Sequence, residues 1–272
     1  MLQAYSSRDE RIRVFTEENK GAGAARNRGL TEATGKYMLF LDCDDFFEPD
    51  MVQLAYGKAE EQGAEIVIYK SDQYNMDSGE FVYENWAMME WALPPYEPFG
   101  YRQISTNIFK AFVGWAWDKL YLRAFVAKND LKFQEQRTTN DALFVFSALV
   151  LAEKISTVRK ILIHRRVDTA DSLSKTREKS WDNFYRMLLA LRQFLKDREK
   201  WNELEKDFVN YALHFSLWNY NTLAEPTKTK LRNKLVSEWF EELGIRQRHK
   251  EYFYDEYEYS QYEAMLKLQD TP

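Results

Sequence analysis

Two hydrophobic rhythms run along the chain, and the change between them near residue 175 divides it. In the first part, short apolar runs alternate with polar turns. Tyr37–Leu41 is a five-residue run bounded by Lys36 and Asp42, and it predicts a buried strand. Arg11–Phe15 alternates charged and apolar residues and predicts a short strand; Ala64–Tyr69 and Ile155–Ile163 predict two more. Gly21 and Gly23 permit a tight turn, and Ala22, Ala25, Leu30 and Ala33 share one helical face, with Gly35 as the stop. Met51–Gln62 predicts a further helix. Strand, glycine turn, helix and strand in that order describe a βαβ unit, whose ligands gather at the C-terminal ends of the strands. Residues 74–101, with Pro94, Pro95 and Pro98, read as a long aromatic loop.

Beyond Thr176 the period becomes 3.6. Phe184, Leu188, Leu191 and Leu195 form one stripe, and Leu204, Phe208, Tyr211, Phe215 and Trp218 a second. Leu231, Leu235, Trp239 and Leu243 form a third, stopped by Gly244. The pattern therefore divides the chain into an α/β unit over 1–175 and a helical extension over 176–272.

Chemistry enters at the end of the Tyr37–Leu41 run, where Asp42, Asp44 and Asp45 fall within four positions. Side chains two apart on a strand point the same way, so Asp42 and Asp44 are expected to converge. Carboxylates held so close repel one another unless a cation lies between them. Mn2+ or Mg2+, held by one or two carboxylates and by substrate phosphates, answers that need. Cys43, pointing the other way, is expected in the core. The common phosphate loops do not apply: Arg26 stands where a dinucleotide fingerprint needs its third glycine, and Gly35-Lys36 is followed by Tyr37 rather than Ser or Thr.

The string Asn19-x-Gly21-x-Gly23-x-Ala25-Arg26-Asn27-x-Gly29-Leu30, followed by Gly35-x-Tyr37-x-x-Phe40-Leu41-Asp42-x-Asp44-Asp45 and Glu48-Pro49-Asp50, resembles the family-2 glycosyltransferases of bacteria. An Asp-x-Asp alone would be weak; the combined pattern is specific. The resemblance implies a GT-A-like, Rossmann-like mixed sheet with flanking helices. It implies transfer of a sugar, with inversion, from a nucleotide sugar, UDP-linked, to a glycan or lipid-linked acceptor in surface-polysaccharide synthesis. Asp42 would contact the nucleotide side, Asp44 would bind the metal with help from Asp42, and Asp45 would face the donor sugar or the acceptor. Asn19, Gly21, Arg26 and Asn27 would shape the donor pocket; the plainer reading of Arg26 and Asn27 is a polar helix surface. The resemblance also implies a missing part. Family members carry further N-terminal strands, one with an aspartate that reads the base, so the α/β unit is expected to be N-terminally truncated with an open sheet edge.

Three further matches lie downstream. Trp117, Lys119, Leu120 and Tyr121 resemble a family Trp-x-Lys-Leu-Tyr element, which implies acceptor contacts from Trp115, Trp117 and Lys119; a tryptophan wedge joining loop to sheet is the equal alternative. Where the family holds a Glu-Asp pair, this chain has Asn140-Asp141. Asp141 would be the catalytic base, tuned by burial rather than by a charged neighbour, and capping of the helix after it is the alternative. Arg166 and Ser172 match a stretch that closes over the donor diphosphate, for which a guanidinium is suited. His164 reads as a strand-end residue rather than a metal ligand.

Composition narrows the rest. At 272 residues and 45% hydrophobic the chain can bury a full core. One cysteine forbids an intramolecular disulfide and suits a cytoplasmic setting, and a net charge of −5 argues against nucleic acid as a partner. The longest apolar run, Ala142–Ala152, is too short to span a bilayer, and peripheral membrane contact would fall to the tyrosine-rich tail over 246–262, whose acids oppose it. Three alternatives stay open: an inactive truncated homologue, a carbohydrate-binding module suggested by the aromatics, and a metal-dependent nucleotidyltransferase. The last would need a glycine-rich loop bearing Arg or Lys at its N-terminus.

Overall fold

The computed structural model describes residues 2–167, 173–246 and 248–267. In chain order the first elements are α1 (Leu2–Ser6), α2 (Ala22–Glu32), β1 (Tyr37–Leu39), β2 (Phe46–Phe47), α3 (Met51–Gln62), β3 (Ile66–Asn75) and β4 (Phe81–Tyr83). Next come α4 (Ile108–Ala111), β5 (Lys119–Leu122), α5 (Arg123–Lys128), α6 (Ala142–Leu151) and β6 (Ile155–Val167). The chain closes with α7 (Asn183–Asp197), α8 (Trp201–Thr222), α9 (Thr227–Lys234), α10 (Phe240–Glu242) and α11 (Glu256–Lys267).

The strands form one mixed sheet in the order β1-β5-β3-β6-β2, with β4 hairpinned onto the far end of β3. β3 is the keel. It runs parallel to β6 and antiparallel to β5, pairing Ile66 with Tyr121 and Ile68 with Lys119. Its first four residues, Ile-Val-Ile-Tyr, are buried on both faces, as a near-continuous apolar run in a covered sheet must be. Ile66 and Ile68 join one hydrophobic cluster; Val67 and Tyr69 join the other, under Met51, Ala55 and Ala59 of α3.

α6 lies on the opposite side and is apolar all round, so it must be covered twice. Phe144 packs toward the sheet, stacked on Phe133 at 4.1 Å and edge-on to Tyr121 at 5.2 Å. Phe146 points the other way, meeting Phe109 at 5.4 Å and Tyr211 of α8 at 5.1 Å. The cluster that holds Ile66 and Phe144 therefore continues through Leu188 and Phe208 to Phe240 and Met265.

Several expectations change. Arg11–Phe15 forms no strand: Arg13 reaches Glu32 at 2.6 Å and the Arg28 guanidinium lies 5.1 Å over Phe15, so the segment rides on α2 instead of pairing. Without it no βαβ unit precedes β1 among the described residues, and the sheet neighbour of β1 is the antiparallel β5. The aromatic loop is also less irregular than its prolines suggest, because β4 within it pairs Asp72 with Tyr83 and Tyr74 with Phe81.

Candidate active site

β1 ends at Leu39, and the acidic segment after it is a turn closed by the Asp45 amide donating to the Asp42 carbonyl at 3.3 Å. Strand alternation therefore does not reach the carboxylates, and each meets a different neighbour. Asp42 accepts from the Arg26 guanidinium at 2.7 Å. Asp45 accepts from the Arg166 amide at 3.0 Å; burial, with Asp44 and Asp42 adding to it, pushes its carboxyl up to about 6. Asp44 is exposed, and so is Cys43, which the turn sends outward rather than into the core.

Arg26 is the hinge-pin of the site. Its second nitrogen donates to Asn140 Oδ1 at 2.7 Å, joining positions 114 residues apart, while its plane lies 5.6 Å from the Phe133 ring. The helix that carries it is seated closely. Asn27 exchanges two hydrogen bonds with the Phe133 backbone, at 2.9 and 2.8 Å, and a Cβ on Gly23 would fall 2.0 Å from the Gln134 carbonyl. Asn19 accepts from the Gly21 amide at 3.0 Å and so shapes the turn into α2, where Gly21 takes φ 90°. Asn27 is thus a clamp on the 133–134 segment, and Asn19 orders the entry to the helix.

Asp141 stands immediately before α6, at its N-cap position, yet its side chain makes no capping hydrogen bond. Burial raises its carboxyl above the ordinary aspartate range; Arg26 and Lys119 oppose that rise and Asp42 adds to it. The acidic turn and Asp141 thus share one electrostatic site. Asn140, the uncharged member of its pair, is used as an acceptor for Arg26, a partnership no local sequence signal announces.

A metal would have to be held sparingly here. Among the described residues no three His, Cys, Asp or Glu side chains form a metal-binding group. Mn2+ or Mg2+ bound largely by phosphate oxygens needs only one or two carboxylates, and the exposed Asp44 offers one. Burial is the main cause of the raised Asp45 carboxyl, and Asp44 and Asp42 add to it, so the three acids of the turn still feel one another although Arg26 pairs with Asp42. The residues present fit the ion.

Residues 1–125 match the family profile described as Glycosyl transferase family 2. EpsH of Bacillus subtilis (strain 168), assigned as a glycosyltransferase, is 25% identical over 240 residues, 86% of this chain and 68% of its own. The cholesterol galactosyltransferase of Borreliella burgdorferi is 24% identical over 285 residues, covering 100% of this chain and 77% of its own. The chain carries a family-2 glycosyltransferase domain over residues 1–125. Its GT-A-like fold agrees with the crystal structure of S. aureus TarS 1-349, to which it superposes with a TM-score of 0.52 at 15% identity, over 90% of this chain and 77% of that one.

In this glycosyltransferase the Trp-x-Lys-Leu-Tyr element is buried throughout, and the neighbouring Trp115 is half-buried. Lys119 is fully buried; its ammonium donates to Asp118 at 2.5 Å and to the Val113 and Trp115 carbonyls at 3.0 and 2.8 Å. Nothing of it is left exposed for an acceptor. It braces the 113–118 loop, whose Gly114 is so close to α6 that a Cβ there would lie 3.0 Å from that of Ala142. Trp117 is also buried, stacked at 4.6 Å on the half-buried Trp115. Trp86 meets Trp115 edge-on at 5.2 Å and Arg165 lies 5.3 Å over it. Trp86 and Arg165 were not foreseen as neighbours, because only the folded hairpin brings them together. Arg165 in turn pairs with the buried Glu84 at 2.7 Å, whose carboxylate also accepts from Gln73 and Ser71.

His164 lies inside β6 rather than at its end, flanked by Asp72 at 2.7 Å and Glu48 at 3.1 Å. Arg166 turns its guanidinium over the Phe46 ring at 5.5 Å. Ser172 lies outside the described residues.

Proposed function

We propose that this chain transfers a sugar, with inversion, from a nucleoside diphosphate donor, uridine by the family resemblance, to a hydroxyl of a glycan or lipid-linked acceptor in surface-polysaccharide synthesis. The carrying observation is Arg26, which holds Asp42 of the acidic turn and Asn140 beside Asp141 in one frame. Donor chemistry and acceptor chemistry must meet at a single carbon, and this bridge supports that reading.

Asp141 acts as the base. The acceptor oxygen attacks the anomeric carbon from the face opposite the leaving group, and its proton passes to the Asp141 carboxylate. The bond from the anomeric carbon to the diphosphate oxygen breaks, and its electron pair leaves on the diphosphate. Asp44, assisted by Asp42, would hold Mn2+ or Mg2+, which when bound supplies a Lewis acid for the charge growing on that diphosphate. Asp45 and Arg26 border the donor sugar, while Asn19, Gly21 and Asn27 hold the donor wall. Trp115 borders the acceptor, and Lys119 and Trp117 fix the loop that presents it.

The test is diphosphate release from a panel of nucleotide sugars with and without manganese. Release that depends on the metal, vanishes in Asp44→Ala and Asp141→Asn, and leaves far-UV circular dichroism unchanged supports the assignment. Equal release with a chelator present refutes the metal, and full turnover in Asp141→Asn refutes the base.

A further inference from the structure

The β3–β4 hairpin and β6 enclose a second concavity beside the acidic turn. It is a shallow pocket of about 510 Å³, lined by Phe46, Tyr74, Met76, Gly79, Phe81 and Arg166. Half of its lining is aromatic: Phe46 meets Tyr74 at 5.4 Å and Phe81 meets Tyr74 at 4.9 Å, while His164, outside the lining, stacks against Phe46 at 4.7 Å. Phe81 and Met76 are about half exposed, so large apolar surface is held open to water instead of being folded into the core. The hairpin is well fastened at its base, where Ser71, Gln73 and Arg165 all bond the buried Glu84, so the ring faces are fixed in advance of any ligand.

Among the described residues, Arg166 is the charged member of the lining. Its backbone amide holds Asp45 and its guanidinium lies over Phe46, the residue next along the chain from Asp45. The pocket and the acidic turn are thus built from adjoining atoms, and a molecule seated in one reaches the other.

We propose that this pocket is an acceptor subsite for a sugar ring bearing an anionic substituent, either a carboxylate or a phosphate. The C–H face of a pyranose lies on the Phe81 and Tyr74 rings, and Arg166 takes the anion by charge-assisted hydrogen bonds. Asp45 then faces the acceptor side as well as the donor sugar. This subsite rests on the transferase reading above, and it moves Arg166 from the donor diphosphate to the acceptor.

The full chain is titrated, by ligand-observed NMR, with methyl glucuronide, glucose 6-phosphate and methyl glucoside, and separately with UDP and manganese. The expected result is preference for an anionic sugar over the neutral glucoside, lost by about tenfold in Arg166→Gln. Phe81→Ala, at an exposed position, weakens all three sugars while UDP affinity stays as in the wild type. Whichever of carboxylate or phosphate binds tighter names the substituent. Equal binding of neutral and anionic sugars, or loss of UDP rather than sugar in Arg166→Gln, overturns the proposal. Should the chain release no diphosphate from any donor yet bind the anionic sugar as described, the transferase reading fails, the acceptor role falls with it, and an anionic-sugar binding site stands.

Discussion

At the scale of single residues, charge decides what the site can do. A base must be deprotonated to accept the acceptor's proton, so turnover falls as pH drops through the folded pKa of Asp141. Burial places that pKa above an ordinary aspartate, and Arg26 is the largest influence holding it down. Arg26→Gln therefore moves the acid limb of the kcat profile to higher pH; an unmoved limb would mean that another group titrates. Lys119 supports a stability prediction. Its ammonium and the Asp118 carboxylate are both buried, so Lys119→Met strands a charge and costs about 3–5 kcal/mol, read as a lowered urea midpoint. Adding Asp118→Leu recovers a large part of the loss, since apolar replacement of both partners is near neutral. The acidic triplet was legible in the sequence because its spacing is local, and Asp141 was singled out only through the family resemblance. The Arg26–Asn140, Lys119–Trp115 and Arg165–Glu84 partnerships were not, for each joins groups that only the fold brings near or turns inward.

Elements were read well wherever one period ran long enough to be seen. The three C-terminal stripes became α7, α8 and the α9–α10 run, and Gly244 takes φ 75° at the stop foreseen for it. Met51–Gln62 became α3 with its bounds unchanged, ended by Gly63 in the left-handed region. Failures came where pattern length was short. Arg11–Phe15 alternates like a strand, but alternation cannot say whether a sheet edge or a helix will receive it, and α2 does. Likewise β1 stops at Leu39, before Phe40 and Leu41, because the chain must turn to give Asp42 to Arg26. Two glycines of α2 separate seating from propensity. Gly23→Ala drives a methyl into the Gln134 carbonyl and must push the helix off its bed, costing about 2 kcal/mol or more and lowering turnover by displacing Arg26. Gly29→Ala meets nothing within 4 Å and should gain about 0.5–1 kcal/mol from helix propensity alone. Chemical denaturation of the two variants checks the opposite signs.

On the scale of the whole molecule, α6 packs against both of the parts into which the sequence divides near residue 175. Its Phe144 closes the sheet and its Phe146 closes α8, so neither side of the helix is covered without the other. The cluster through it runs unbroken from Met38 to Met265. Asp141 sits at its N-terminal end, which ties the position of the base to the packing of both halves. Unfolding of the chain should accordingly be a single cooperative transition. Trp115 and Trp117 report on the α/β part and Trp181 and Trp239 on the helices, stacked at 4.6 and 5.4 Å respectively, so fluorescence samples both. Its melting curve should superpose on that from far-UV circular dichroism, as a two-state transition requires. Phe146→Ala, on the helical side, removes a fully buried ring and costs about 3–5 kcal/mol. Because the cost falls on a shared core, the variant should lower both signals together while keeping one transition. Two separated transitions, with only the helical one shifted by Phe146→Ala, would show that the halves fold independently and that the base is positioned by the sheet alone.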